Sequence, residues 1–196
     1  MRRFIKTVVP ADGYEEVRKV GERYVVHMEP VSNGDGSVTC YECMTDREPD
    51  MAVLGEDLKV WKAYVAEREL KTAKAQKLAE LEAYDSSDAV NGFEVVKDGQ
   101  AITAWIEPGK RSNYRGSLED CVLLGVTDIK VPIAGMLIPM TVSDARVKLA
   151  QVQLYADSCA IVTERHRAAV AQLHTVQEVE GYDFTTGYPE RLTFVV

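Results

Sequence analysis

The chain has 196 residues, of which 46% are hydrophobic and 28% charged, and a formal net charge of −8. That composition is ordinary for a globular protein, and the length suffices to bury a core without disulfide or metal staples. The acidity is spread along the chain with no basic stripe to neutralise phosphates, so neither nucleic acid nor an anionic membrane is an expected partner.

The opening stretch, MRRFIKTVVPADGYEEV, has no long apolar run and does not read as a secretory signal. The first 50 residues read as strand and turn. YVVHMEPV (24–31) and VTCYECMT (38–45) are β-rich runs on either side of SNGDGS, which predicts a hairpin. From Met51 the period changes. Leu54, Leu58, Trp61 and Val65 fall at helical spacing, and Leu70, Ala73, Leu78 and Leu81 continue the stripe. Neither Gly nor Pro interrupts 56–84, about 43 Å of helix at 1.5 Å per residue, so this helix is expected to join two regions.

YDSSDAVNG ends it, and FEVVKDGQAITAWI (93–106) predicts a second hairpin turning at Asp98-Gly99. A short helix is expected from about Asn113 to Leu123, stopped by Gly125, with VTDIKV and MLIPMTV as strands. The segment VPIAGMLIPM is the most apolar, but it is far shorter than the roughly 20 residues that span a bilayer and holds two prolines. Ser143 and Asp144 suggest the N-cap of a second long helix. Its buried face is predicted to carry Leu149, Val152, Ala156, Cys159, Thr163, His166, Val170 and Leu173. A short helical piece, a Gly/Pro turn and a final strand follow. The fold class is α+β, divided into a β-rich docking region (1–50), a long helix (51–84) and an α+β C-terminal domain (85–196).

Two segments echo each other: LAELEAYD (78–85) and VQEVEGYD (176–183). Both Tyr-Asp pairs fall where a helical pattern gives way to turn residues, and their flanks differ. They read as the same stop signal used at two helix ends, not as a duplicated site.

Candidate chemistry is sparse. Cys40 and Cys43 form a Cys-x-x-Cys pair, but in a strand residues i and i+3 point to opposite faces, so one metal would not see both thiols. With Cys121 and Cys159 they are expected to be reduced thiols made in a cytoplasm, acting as small apolar fillers. NGDGS (33–37) begins like a calcium loop, yet Val38 and Met44 stand where glycine and glutamate are needed. His166, one heptad after Cys159, suggests a metal ligand or, more plainly, a satisfied interior histidine, whereas His27 reads as exposed. The acidic pairs sit near helix termini, where the dipole favours them. Arg111 and Arg115, after Trp105, suit a carboxylate or phosphate, or an acidic neighbour. No catalytic, cofactor-binding or metal-ligating residue is assigned and no cofactor is expected. Trp61, Tyr64, Tyr84, Trp105, Arg111, Arg115, Tyr155 and Tyr182 are the interface candidates, the aromatics being equally suited to a core.

Several stretches occur in the order KLAELEAYDSSDAVNGFEV, AWIEPGKR, MTVSDARVKLAQVQLYADSC, TERHRAAVAQLHTVQEVEGYD and TGYPERLTF. Together, over about 77–196, they resemble an uncharacterised domain family from tail-fibre and tail-assembly regions of phages and prophages of gut bacteria. The resemblance carries over no catalytic residue. It implies a non-enzymatic virion protein of the tail or tail-fibre apparatus, made in the host bacterial cytoplasm and incorporated into the particle. Its implied partners are other tail or fibre proteins and copies of itself. A tail-fibre assembly chaperone is the alternative. An enzyme using Cys40, Cys43, Cys159 or His166 is a third reading.

Overall fold

The computed structural model describes residues 1–196 and confirms a mixed α+β fold. It divides into two compact units, Met1–Lys71 and Thr72–Val196. Helix α1 (Met51–Asp85) supplies residues to both.

The N-terminal unit is one antiparallel sheet and the first part of α1. Its strands are β1 (Ile5–Pro10), β2 (Val17–Val20), β3 (Arg23–Ser32) and β4 (Ser37–Thr45), in the order β1-β4-β3-β2. The β3–β4 hairpin is the one that the alternation around SNGDGS predicts, closed by Gly34 and Gly36 at positive φ and by Asp35, which accepts from the Ser37 amide. One sheet face packs Phe4, Val26, Met28 and Cys43 against Leu54 and Leu58 of α1. Asp50 starts that helix by accepting from the amides of Ala52 and Val53.

The other sheet face is covered around His27, which the alternation reads as exposed and which is a correction. It is buried, with 6% of its surface exposed. The loop before β2 folds over it: the Tyr14 ring lies 5.7 Å away and the Glu15 carbonyl contacts Nδ1 at 2.8 Å. Covering by a loop is a tertiary event that strand periodicity does not register.

In the C-terminal unit, β5 (Phe93–Lys97) and β6 (Gln100–Ala104) form a hairpin that turns at Asp98 and Gly99, both at positive φ. Strand β9 (Thr193–Val195) joins β5 in parallel, giving the order β6-β5-β9. Helix α2 (Pro108–Leu123) begins five residues before the expected Asn113, because proline at its first turn is pre-set for helix and loses nothing there. A second hairpin, β7 (Asp128–Ile133) and β8 (Met136–Thr141), leads into α3 (Val142–Gln172). The cap of α3 is Thr141, not Ser143 or Asp144: its hydroxyl accepts from the Asp144 amide at 3.0 Å and donates to that carboxylate at 2.8 Å. Along α3, Leu149, Val152, Cys159, Thr163 and Val170 are buried, and Ala156, His166 and Leu173 half-buried. Helix α4 (Val176–Glu180) opens with a reciprocal capping box between Thr175 and Glu178.

Candidate functional site

The C-terminal unit holds an apolar cleft of about 270 Å³, enclosed by α2, α3, β5, β9 and the β7–β8 hairpin. Strand alternation builds one wall: Ile129, Val131 and Ile133 turn inward and are half-buried, while Asp128, Lys130 and Pro132 are exposed. Phe93, Leu118, Leu149 and Phe194 build the others. Lys148 stands at the edge with its Nζ 4.7 Å from the centroid of the Phe194 ring. Such a cleft binds by burying apolar surface, with few polar groups to orient a ligand. The N-terminal unit has a more polar groove of about 570 Å³ beside β1, lined by Lys6, Tyr41, Trp61, Lys62 and Glu69 among others.

A polar seam runs along α3. The Thr163 hydroxyl donates to Asp85 at 2.6 Å and lies 2.9 Å from the Tyr188 hydroxyl. His166 meets the Tyr182 hydroxyl through Nδ1 at 2.7 Å and the Thr186 carbonyl through Nε2 at 2.9 Å. Tyr155 is pushed up to about 12, mainly by burial and then by the neighbouring Cys159. Burial also raises the Cys159 thiol and the Tyr188 phenol. Tyr155, Cys159 and Tyr188 therefore favour their neutral forms at ordinary pH, which suits packed polar groups and not nucleophiles.

The seam explains the echoed segments. Asp85 of the first Tyr-Asp pair anchors to Thr163, and Tyr182 of the second anchors to His166, one helical turn further along α3. Asp183 accepts from the amide and hydroxyl of Thr185, which holds its carboxyl below the usual range. Near the same end of α1, Lys77 donates to the Glu180 carbonyl at 3.1 Å. The two helix ends are tied to the same neighbour.

The interface candidates scatter. Tyr64 and Arg115 are exposed, and Trp61, Tyr84, Trp105 and Tyr182 half-buried. Tyr155 and Arg111 are buried. Cys40 and Cys43 face opposite sides of the sheet: Cys43 packs toward Leu54 and Leu58, while Cys40 shares the face of Glu42 and His27. Burial raises both thiols. The NGDGS oxygens are spent on the turn, where Asn33 donates to Ser37 and Asp35 accepts from it. No group of three or more His, Cys, Asp and Glu side chains could hold a metal ion, and no helix is long and apolar enough to cross a membrane.

The sequence reading missed the outward face of α3. Val147, Leu154 and Ile161, spaced seven apart, are 56%, 66% and 54% exposed. Leu123 and Leu124, at the end of α2, are exposed as well. The spacing was visible in the sequence, but the stronger buried stripe on the same helix masked it. Comparison with family models, with curated proteins and with solved structures finds no match to this chain.

Proposed function

We propose that the chain is a non-enzymatic structural protein of a phage particle, in the tail or tail-fibre apparatus, and that it works by pairing with a second copy of itself. The phage assignment rests on the sequence resemblance over about 77–196. The observation that carries the pairing is the exposed row Val147, Leu154 and Ile161.

Exposed apolar side chains in a line at heptad spacing form a seam that favours another helix. The row is also self-complementary. A two-fold axis through Leu154 places Val147 opposite Ile161 and the small Ala150 opposite the small Ser158. An isologous contact requires such matching, because the same patch serves both partners.

Two measurements test this reading. Light scattering of the purified chain is expected to report a dimer, and Leu154→Glu, an exposed position whose substitution spares the core, is expected to give a folded monomer. A wild-type monomer at high concentration would remove the pairing. Mass spectrometry of purified particles from the encoding phage is expected to find the chain at a fixed ratio to the major capsid protein. Synthesis during infection without retention in the particle would replace the structural role with that of an assembly chaperone.

A further inference from the structure

Arg111 lies in the first turn of α2 and is only 6% exposed. Its guanidinium carbon sits 5.1 Å from the centroid of the Trp105 ring. Nε and Nη1 are fully buried and neither has a hydrogen-bond acceptor. They are the only buried side-chain nitrogen or oxygen atoms in the chain without a partner. Arginine cannot escape such a site by giving up its proton, so the charge persists. A buried positive charge without a counter-ion is costly, and a cation–π contact with one indole offsets only part of that cost.

Acids within the unit are not engaged with it. Glu107, the N-cap residue of α2, is exposed and makes no side-chain cap bond. Its backbone carbonyl merely accepts the Arg111 amide. Glu94 pairs instead with Arg191, at 3.7 Å.

We propose that Arg111, held over the Trp105 ring, is a binding site for a carboxylate group supplied from outside this unit. One carboxylate balances one guanidinium in charge, and its planar pair of oxygens matches the planar donors. A phosphate would bring more charge than the single arginine neutralises. The carboxylate source is either an acidic side chain of a neighbouring protein chain or a free small carboxylate.

Sodium acetate is the probe, with sodium chloride at equal ionic strength as the reference, on the full-length chain. Acetate is expected to give a saturable rise in melting temperature beyond chloride, because it binds the folded state alone. It is also expected to move the Arg111 Nε resonance in a nitrogen-correlated NMR spectrum. Arg111→Met should lose the acetate-specific rise, and Arg111→Lys, which keeps the charge but not the planar fork, should weaken it. Equal responses to acetate and chloride, or an acetate response that survives in Arg111→Met, would overturn the site. If Arg111→Met does not fold, the wild-type Nε resonance decides: movement with acetate alone supports the site and no movement ends it. A dilution series without acetate separates the sources. An Nε resonance that follows protein concentration points to a second copy, and a constant one in an acetate-binding protein points to a different donor.

Discussion

His27 in the N-terminal unit and Arg111 in the C-terminal unit are equally buried, each 6% exposed, yet they differ in what surrounds them. His27 has a partner at both ring nitrogens: the Glu15 carbonyl at 2.8 Å and the Glu42 carboxylate at 3.2 Å. Arg111 has a ring beneath it and no acceptor at two of its nitrogens. The first is a closed polar contact that completes a core. The second leaves hydrogen-bonding capacity unspent within the chain. The surrounding units differ in the same sense. The N-terminal sheet closes over His27 with the loop before β2, whereas the C-terminal unit keeps an apolar cleft of about 270 Å³ and an exposed apolar row on α3.

The largest effect expected on this contrast comes from the floor of the C-terminal core. Phe93 is fully buried, stacks edge-on against Phe194 with centroids 5.6 Å apart, and lines the cleft. Phe93→Ala should destabilise the chain by about 3–5 kcal/mol, by lost transfer energy plus the cavity left behind. Urea denaturation measures it. A cost well under that range would mean that the cleft wall collapses to fill the space, and that the cleft is not a rigid feature.

A smaller effect sharpens the comparison directly. His27→Ala leaves the Glu42 carboxylate and the Glu15 carbonyl without their shared partner and should cost about 1–3 kcal/mol. Arg111→Met, which removes an unpaired buried charge and fills the space with an apolar chain, should leave stability level or raise it. Opposite signs for two substitutions at equally buried positions would set a structural contact apart from a reserved one. Similar losses at both would reduce Arg111 to a packing residue.

How much of this was legible beforehand follows from the range of the forces involved. The β3–β4 hairpin, α1 and the buried face of α3 were readable because period and turn chemistry act over a few residues. Thr141 was missed as the cap because a strand runs straight into the helix without a loop to announce it. The burial of His27, read as exposed, and that of Arg111 were out of reach for a deeper reason. His27 is covered by the loop that leads into β2, and Arg111 is enclosed by the packing of its unit, and neither burial is encoded in local spacing. The residues of the α3 seam were noticed singly, Tyr155, His166 and Tyr182 among them. Their meeting along one helix depends on contacts as distant as Thr163 with Asp85.

The smallest predicted effect concerns pH. Tyr155, buried beside Cys159, has its phenol raised to about 12. An unfolded tyrosine loses its proton near pH 10. Between those two values the unfolded chain holds fewer protons than the folded one, so stability falls as pH rises, and below about pH 10 the group contributes no slope. Tyr155→Phe should therefore shallow the alkaline decline while changing stability near neutrality only slightly, since its hydroxyl is engaged with a weak thiol partner. Tyr188 and the buried thiols of Cys40, Cys43 and Cys159 are raised too, so a residual slope should remain. Denaturation midpoints taken from neutral to alkaline pH in both proteins make the test, and superimposable declines would show that the phenol of Tyr155 ionises as freely in the folded chain as in the unfolded one. That result would open the seam to solvent and remove its likeness to the closed contact around His27.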